Sequence, residues 1–233
     1  MVGVAECERV QANWFVARAR ACGGSVWTDG GMLWTDGPDG VNVLFPSRLD
    51  LQALHRGVQR AQDLGRSPVG AWLGLAVDPG PLAAAGFERG WSPWWMTADL
   101  ADIPETHDPR VRLETDTTDY TGEFADYRDQ LALAREQPTR AWYAAAHLPD
   151  GAFAGRAWSF LDGDLAGVFD MNVWPPFQRR GLGTALLSAI CAAAHKAGAH
   201  HAVLNATPDG KHLYRTRGFT QIGEGITWWR HLP

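Results

Sequence analysis

Only three cysteines, Cys7, Cys22 and Cys191, occur in 233 residues. They are far apart and odd in number, and no set of Cys and His at ligand spacing surrounds them. A disulfide framework and a metal site are therefore not expected, and reduced thiols in a cytoplasmic protein are. Positive charge is also scarce. The 21 Lys and Arg stand against 26 Asp and Glu, for a formal net charge of -5, which argues against a nucleic-acid partner. No apolar run approaches the ~20 residues that span a bilayer, and Glu6 and Glu8 fall where a secretory leader would be apolar. No membrane partner is expected.

Aromatic mass is abundant. Hydrophobic residues make up 45% of the chain and twelve residues are tryptophan, each a large burial term for a core or a pocket wall. Pattern places a helix over Ala5–Gly24, three short strands within Ser25–Phe45, a helix over Arg48–Gly65 and a buried strand over Val69–Val77. The polar segment Asp99–Arg112, with two prolines, is the expected linker. A strand at Val111–Asp116, a helix at Tyr120–Gln137 and strands within Arg140–Trp174 follow. Next come a helix, a strand at His201–Thr207, a short helix after Pro208 and a closing strand near Phe219–Trp229. This order predicts an α+β class, a mixed and mostly antiparallel sheet flanked by helices.

The stretch VWPPFQRRGLGTALLSAICAAAHKAG, Val173 to Gly198, carries the chemistry. Pro175 and Pro176 lack the N–H that a strand ladder needs, so the strand stops before them. A helix then starts beside Gly181 and Gly183. The first turn of a helix has unmatched N–H groups and partial positive charge. Glycines there let an anion approach the backbone, and Arg179 and Arg180 add charge, so the stretch predicts a phosphate or pyrophosphate site. The GxxxxGK[ST] loop is absent, and so is the dinucleotide GxGxxG. Close helix–sheet packing with solvated arginines is the competing reading of the two glycines taken alone.

The whole assembly resembles the GNAT superfamily of acyl-CoA-dependent N-acyltransferases. Gln178, Gly181 and Gly183 meet its Gln/Arg-x-x-Gly-x-Gly/Ala pattern, and Leu213, Tyr214, Gly218 and Phe219 meet its C-terminal LY…GF. The resemblance covers about Val111 to Pro233. It implies a GNAT-like fold, acetyl-CoA as acyl donor and transfer of an acetyl or other short acyl group to the amine of a small molecule or amino-acid-like acceptor. Backbone amides of Arg179, Arg180, Gly181, Leu182, Gly183 and Thr184 would hold the pyrophosphate, beside Gln178. Met171, Val173 and Asn205 would pair with the pantetheine arm where two central strands splay. Tyr214, a phenol near its normal pKa, would protonate the leaving thiolate. Asp170 is the first choice of base, ahead of Glu123 and the His200–His201 pair. A non-catalytic acyl-CoA sensor and another acyl-CoA enzyme on the same fold are the alternatives. The mild acidity and the tryptophans favour a cationic or aromatic amine. Oligomeric state stays open.

Asp78–Gly90 resembles Pro208–Gly223, each reaching a Gly-Phe pair and then a Trp-Trp pair. The expectation is a tandem chain, residues 1–104 being either a degenerate GNAT-like copy or an unrelated α/β accessory domain and 105–233 the catalytic one. In the first half Asp50 stands at the helix start in place of glycine, and Leu82 stands in place of Tyr214. CoA is not expected to bind there. Leftover tryptophan surface predicts that the two halves pack tightly.

Overall fold

The computed structural model describes residues 2–116 and 127–232. Helix α1 (Val4–Ala21) leads into a meander of β1 (Ser25–Asp29), β2 (Met32–Gly37) and β3 (Gly40–Leu44). Helix α2 (Leu51–Asp63), β4 (Val69–Gly74), the single turn α3 (Gly80–Ala84), β5 (Glu88–Arg89) and β6 (Trp94–Asp99) follow. Next come β7 (Val111–Glu114), α4 (Tyr127–Gln130), α5 (Ala132–Arg135) and the meander β8 (Ala141–His147), β9 (Phe153–Asp162) and β10 (Leu165–Val173). The chain closes with α6 (Leu182–Lys196), β11 (His201–Ala206), α7 (Lys211–Arg215) and β12 (Thr220–Arg230). The sheet is mixed and mostly antiparallel, as expected. Among the described pairs only β3 with β4 and β10 with β11 run parallel. No helix among the described residues is long and apolar enough to cross a membrane.

The chain divides into two compact units. One comprises residues up to Val10 with Trp94–Ile222, the other Gln11–Pro93 with the segment from Gly223 onward. The expected boundary at 104/105 does not coincide with this division, because each unit takes a strand from the far side of it. In the C-terminal unit β11 pairs antiparallel with β6, from His201 opposite Asp99 to Ala206 opposite Trp94. In the N-terminal unit β4 pairs antiparallel with β12, from Val69 opposite Arg230 to Gly74 opposite Gly225.

Each unit repeats one plan. An antiparallel meander is followed by a helix, a strand parallel to the last of the meander and a one-turn helix, and an antiparallel strand supplied by the other half of the sequence closes it. The Gly-Phe corners match at backbone level. Phe87 N donates to Leu82 O at 3.0 Å, and Phe219 N to Tyr214 O at 3.1 Å. Gly86 and Gly218 are both left-handed, at φ 77° and 87°, which is why glycine stands there twice.

In the C-terminal unit α6 lies on β7, β8, β9 and β10. The sheet meets it with small residues, Ala144, Ala146, Ala157 and Ala166, and the helix fills the gap with Leu186, Leu187 and Ile190. Small side chains on the sheet bring the helix axis close, and the branched residues restore packing density. In the N-terminal unit α2 comes down on Trp34, and a Cβ on Gly57 would stand 2.3 Å from that ring.

Two expected elements differ. Asp99–Arg112 is not a loose linker. Leu100 and Ile103 are buried in the C-terminal core, and Thr106 N donates to Ser188 Oγ at 2.7 Å. Two apolar residues at i and i+3 were hidden among charges. The strand expected to reach Val77 ends at Gly74, with Leu75 exposed. The expected helix at Tyr120–Gln137 is present as α4 and α5, while 117–126, including the candidate base Glu123, lie outside the described residues.

Candidate functional site

The site begins where two parallel strands part. β10 pairs with β11 from Leu165–His201 to Val168–Leu204, and there the pairing stops. β11 continues to Ala206 along β6. β10 continues to Val173 along β9, bent by a bulge between Phe169 and Asn172 in which Asp170 is left-handed at φ 47°. Asp tolerates that conformation better than most residues, and a bulge turns a strand away from its old partner. The edge of β10 over Met171–Val173 therefore has no β11 partner, and a gap opens between the strands.

Pro175–Phe177 form a single 3-10 turn that ends the strand. Gln178 reaches back, its Nε2 donating to Val173 O at 2.9 Å. Arg110 Nη2 donates to Arg180 O at 3.0 Å. Arg110 is itself held by Asp108, whose carboxyl the guanidinium keeps below its usual range. The loop is thus tied at both ends. Gly181, at φ 82°, is the N-cap of α6 and offers no side-chain cap. The first helical bond is Ala185 N to Gly181 O at 3.1 Å, so the N–H groups of Leu182, Gly183 and Thr184 have no carbonyl within the helix. A Cβ on Gly183 would stand 3.3 Å from Leu213 Cδ2 and 3.6 Å from Met171 Cε.

These pieces enclose a cavity of about 600 Å³. Of the residues singled out in the sequence, Met171, Val173, Gln178, Arg179, Gly181, Leu182, Gly183, Thr184 and Tyr214 line it. Arg180, Asn205 and Asp170 are not among its lining residues. Asn205 lies on β11, opposite Trp95. His200 and His201 are at the other end of β11, about 13 Å from Asn205 at the rise of an extended strand, so the structure does not bring them to the site. Asn172, Phe177, Asp209, Gly210 and Leu213 complete the wall; Leu213 was singled out only as part of the LY…GF pattern, and the other four were missed. A bulge shifts the strand alternation by one, and that shift is what turns Asn172 into the opening.

Tyr214 is buried, its ring edge-on to Phe219 at 5.6 Å. Burial, with a smaller contribution from Cys191, pushes its phenol well above the usual value. The expectation of a near-normal pKa is corrected: desolvation penalises the phenolate, and Tyr214 stays protonated throughout the neutral range. Burial likewise pushes the Cys191 thiol up to about 12.

The N-terminal unit lacks each of these features. β3 ends at Leu44, and Phe45 N closes on Trp72 O at 2.8 Å. The Trp72 ring is edge-on to Phe15 at 5.7 Å, Trp91 at 6.0 Å and Trp229 at 6.1 Å. Asp50 caps α2, accepting from Ala53 N at 2.8 Å, so the helix start is already occupied by a carboxylate.

Residues 105–219 match the sequence model of the acetyltransferase (GNAT) family. They form a GNAT domain. Solved structures extend the likeness in fold to both halves. A GCN5-related N-acetyltransferase from Kribbella flavida is 15% identical, with 98% of this chain and 96% of that one covered and a TM-score of 0.59. A GCN5-related N-acetyltransferase from Sphaerobacter thermophilus is 13% identical over 97% of this chain and 93% of that one, with a TM-score of 0.58. A tandem GNAT protein from the clavulanic acid biosynthesis pathway is 16% identical over 99% of this chain and 97% of that one, with a TM-score of 0.54. No curated protein matches. The GNAT domain thus contains the strand gap, the uncapped helix start and Tyr214.

Proposed function

We propose that the protein transfers an acetyl group from acetyl-CoA to the amine of a small molecule, with all chemistry in the GNAT domain. One observation carries the reading: the gap beyond Val168–Leu204 opens onto the uncapped start of α6, with Tyr214 on the wall. The first-turn amides of Leu182, Gly183 and Thr184 suit a pyrophosphate. The unpaired edge of Met171–Val173 suits the amides of a pantetheine arm, added as an extra strand would be. Val173 O already accepts from Gln178, so Gln178 acts in this reading as a brace of the loop.

In the reaction the neutral amine nitrogen attacks the thioester carbonyl and forms the C–N bond. The tetrahedral intermediate then loses a proton from its nitrogen to solvent water and expels CoA thiolate as the C–S bond breaks. The Tyr214 hydroxyl gives its proton to that sulfur, and the tyrosinate is reprotonated from solvent. Asp170 lies on the bulge beside the gap but off the cavity wall, so in this reading the proton that the ammonium sheds reaches it through water. Positioning supplies most of the acceleration. The test is release of CoA thiol with acetyl-CoA and a panel of amines. Tyr214→Phe should lower kcat while leaving acetyl-CoA affinity near wild type. Equal turnover in the two proteins removes the acid role, and acetyl-CoA binding with no turnover of any amine makes the domain a sensor.

A further inference from the structure

On the face of the C-terminal sheet opposite α6 lies a cation with no counter-ion among the described residues. Arg156 Nε and Nη1 are both buried, and no hydrogen bond or ion pair satisfies them among the described residues. Strand register fixes the neighbours. Arg156 stands directly across from Ala145 on β8 and Asn172 on β10, and residues so opposed share a face with Cβ atoms about 5 Å apart. Asn172 is exposed and lines the cavity of the candidate site, so the guanidinium lies one residue from that opening.

One aromatic ring lies against it, and further rings stand beyond that one. Tyr127 covers one face of the guanidinium, with Cζ 3.7 Å from the ring centroid. Phe153 is edge-on to Tyr127 at 6.3 Å and to Trp174 at 5.7 Å. Two carboxylates on this face are already engaged: Glu114 meets Arg112 at 2.7 Å and His147 Nε2 at 2.9 Å, and Asp162 meets Arg9 and Arg140.

A guanidinium keeps its charge at any pH the fold survives. Burying its N–H groups without acceptors is unfavourable. A ring over one face offsets part of that but offers nothing to N–H groups lying in the plane. With a face blocked, a ligand meets the group in its plane, where the fork of N–H donors matches two coplanar oxygens. We infer that Arg156 binds a carboxylate carried by the acceptor, so that the substrate is an amine that also bears a carboxylate. The inference rests on the acetyltransferase reading above, and it reverses the preference for a cationic acceptor that composition suggested.

The test compares free amino acids with their carboxamides at saturating acetyl-CoA, in the wild type, R156Q and R156K, with thiol release as readout and circular dichroism as the check on folding. The acids should exceed the amides by at least about tenfold in kcat/KM, the effect of a lost charge-assisted bond. R156Q should erase that preference through KM, leaving kcat and the amide kinetics near wild type. R156K, which keeps the charge and loses the fork, should retain part of it and serves if R156Q does not fold. Equal use of acids and amides by the wild type, equal losses on both in R156Q, or a preference for O-phosphoethanolamine over every carboxylate overturns the inference. If no amine releases thiol, the acetyltransferase reading fails on its own. Arg156 is then read from tryptophan fluorescence, since Trp174 is near: quenching by N-acetylglycine but not N-acetylglycinamide, lost in R156Q, supports the site, and equal responses overturn it.

Discussion

Gln178 donates its side-chain amide to the carbonyl of Val173 at 2.9 Å, tying the loop after the two prolines to the strand before them. The bond is exposed, so it contributes little to global stability, but it sets where the start of α6 stands relative to the strand gap. Gln178→Ala should leave the melting temperature near wild type and raise KM for acetyl-CoA several-fold. Calorimetric titration with acetyl-CoA beside a thermal melt checks both, and an unchanged affinity would separate the brace from the cofactor.

Gly183→Asp separates folding from binding more sharply. A carboxylate in the first turn of α6 favours the helix, and Leu213 has only to yield by a few tenths of an ångström to a new Cβ at 3.3 Å. The fold should hold. Affinity for acetyl-CoA should fall at least about tenfold, since like charges 4 Å apart at an effective dielectric of 20 repel by about 4 kcal/mol. Asp50→Asn, which keeps the cap of α2, should change neither quantity; a drop in affinity there would place the donor in the N-terminal unit.

The buried thiols predict a stability limb at high pH. Burial pushes Cys7 and Cys191 from 9.0 up to about 12. Above pH 9 the unfolded chain releases these protons while the folded chain retains them. Stability is therefore fully present below pH 9 and declines as pH rises toward about 12. Urea melts across that range should show the decline, and Cys191→Ala should make it shallower. A flat profile would contradict the burial of both thiols.

Cutting the chain at Val111 should ruin the GNAT domain, although the fragment keeps most of the family match over residues 105–219. The fragment Val111–Pro233 lacks β6, and with it Met96 and Ala98 of the core and the hydrogen-bonding partner of β11. It also lacks Leu100 and Ile103. Aggregation, or a melt far below that of the full chain, is expected. A fragment starting at Trp94 should be the more soluble of the two by size-exclusion chromatography, and a soluble, active Val111–Pro233 would refute the role given to β6.

The helix start at Gly181, the proline stop and the Gly-Phe corner were legible because each depends on one residue type with a unique backbone demand. The strand class and the repeat were legible for the same reason, through Gly86 and Gly218. The origin of β6 and β12 was not. The stretches carrying Trp94-Trp95 and Trp228-Trp229 read as closing strands of their own halves, and nothing in a strand's alternation names its partner. Nor did alternation reveal Arg156. Its pairing with Asn172 depends on the bulge at Phe169–Asn172, and a bulge carries no local mark beyond an aspartate at positive φ.

The exchange of closing strands also fixes an order of assembly. Ribosomal synthesis delivers β4 well before β12. Until β12 emerges, Val69–Gly74 has an open, apolar edge, and such edges invite pairing with other chains. The half made first is therefore the half completed last. For this chain the usual sequence of domain-by-domain maturation during translation is inverted, and the arrival of β12 governs whether the N-terminal unit survives its own birth.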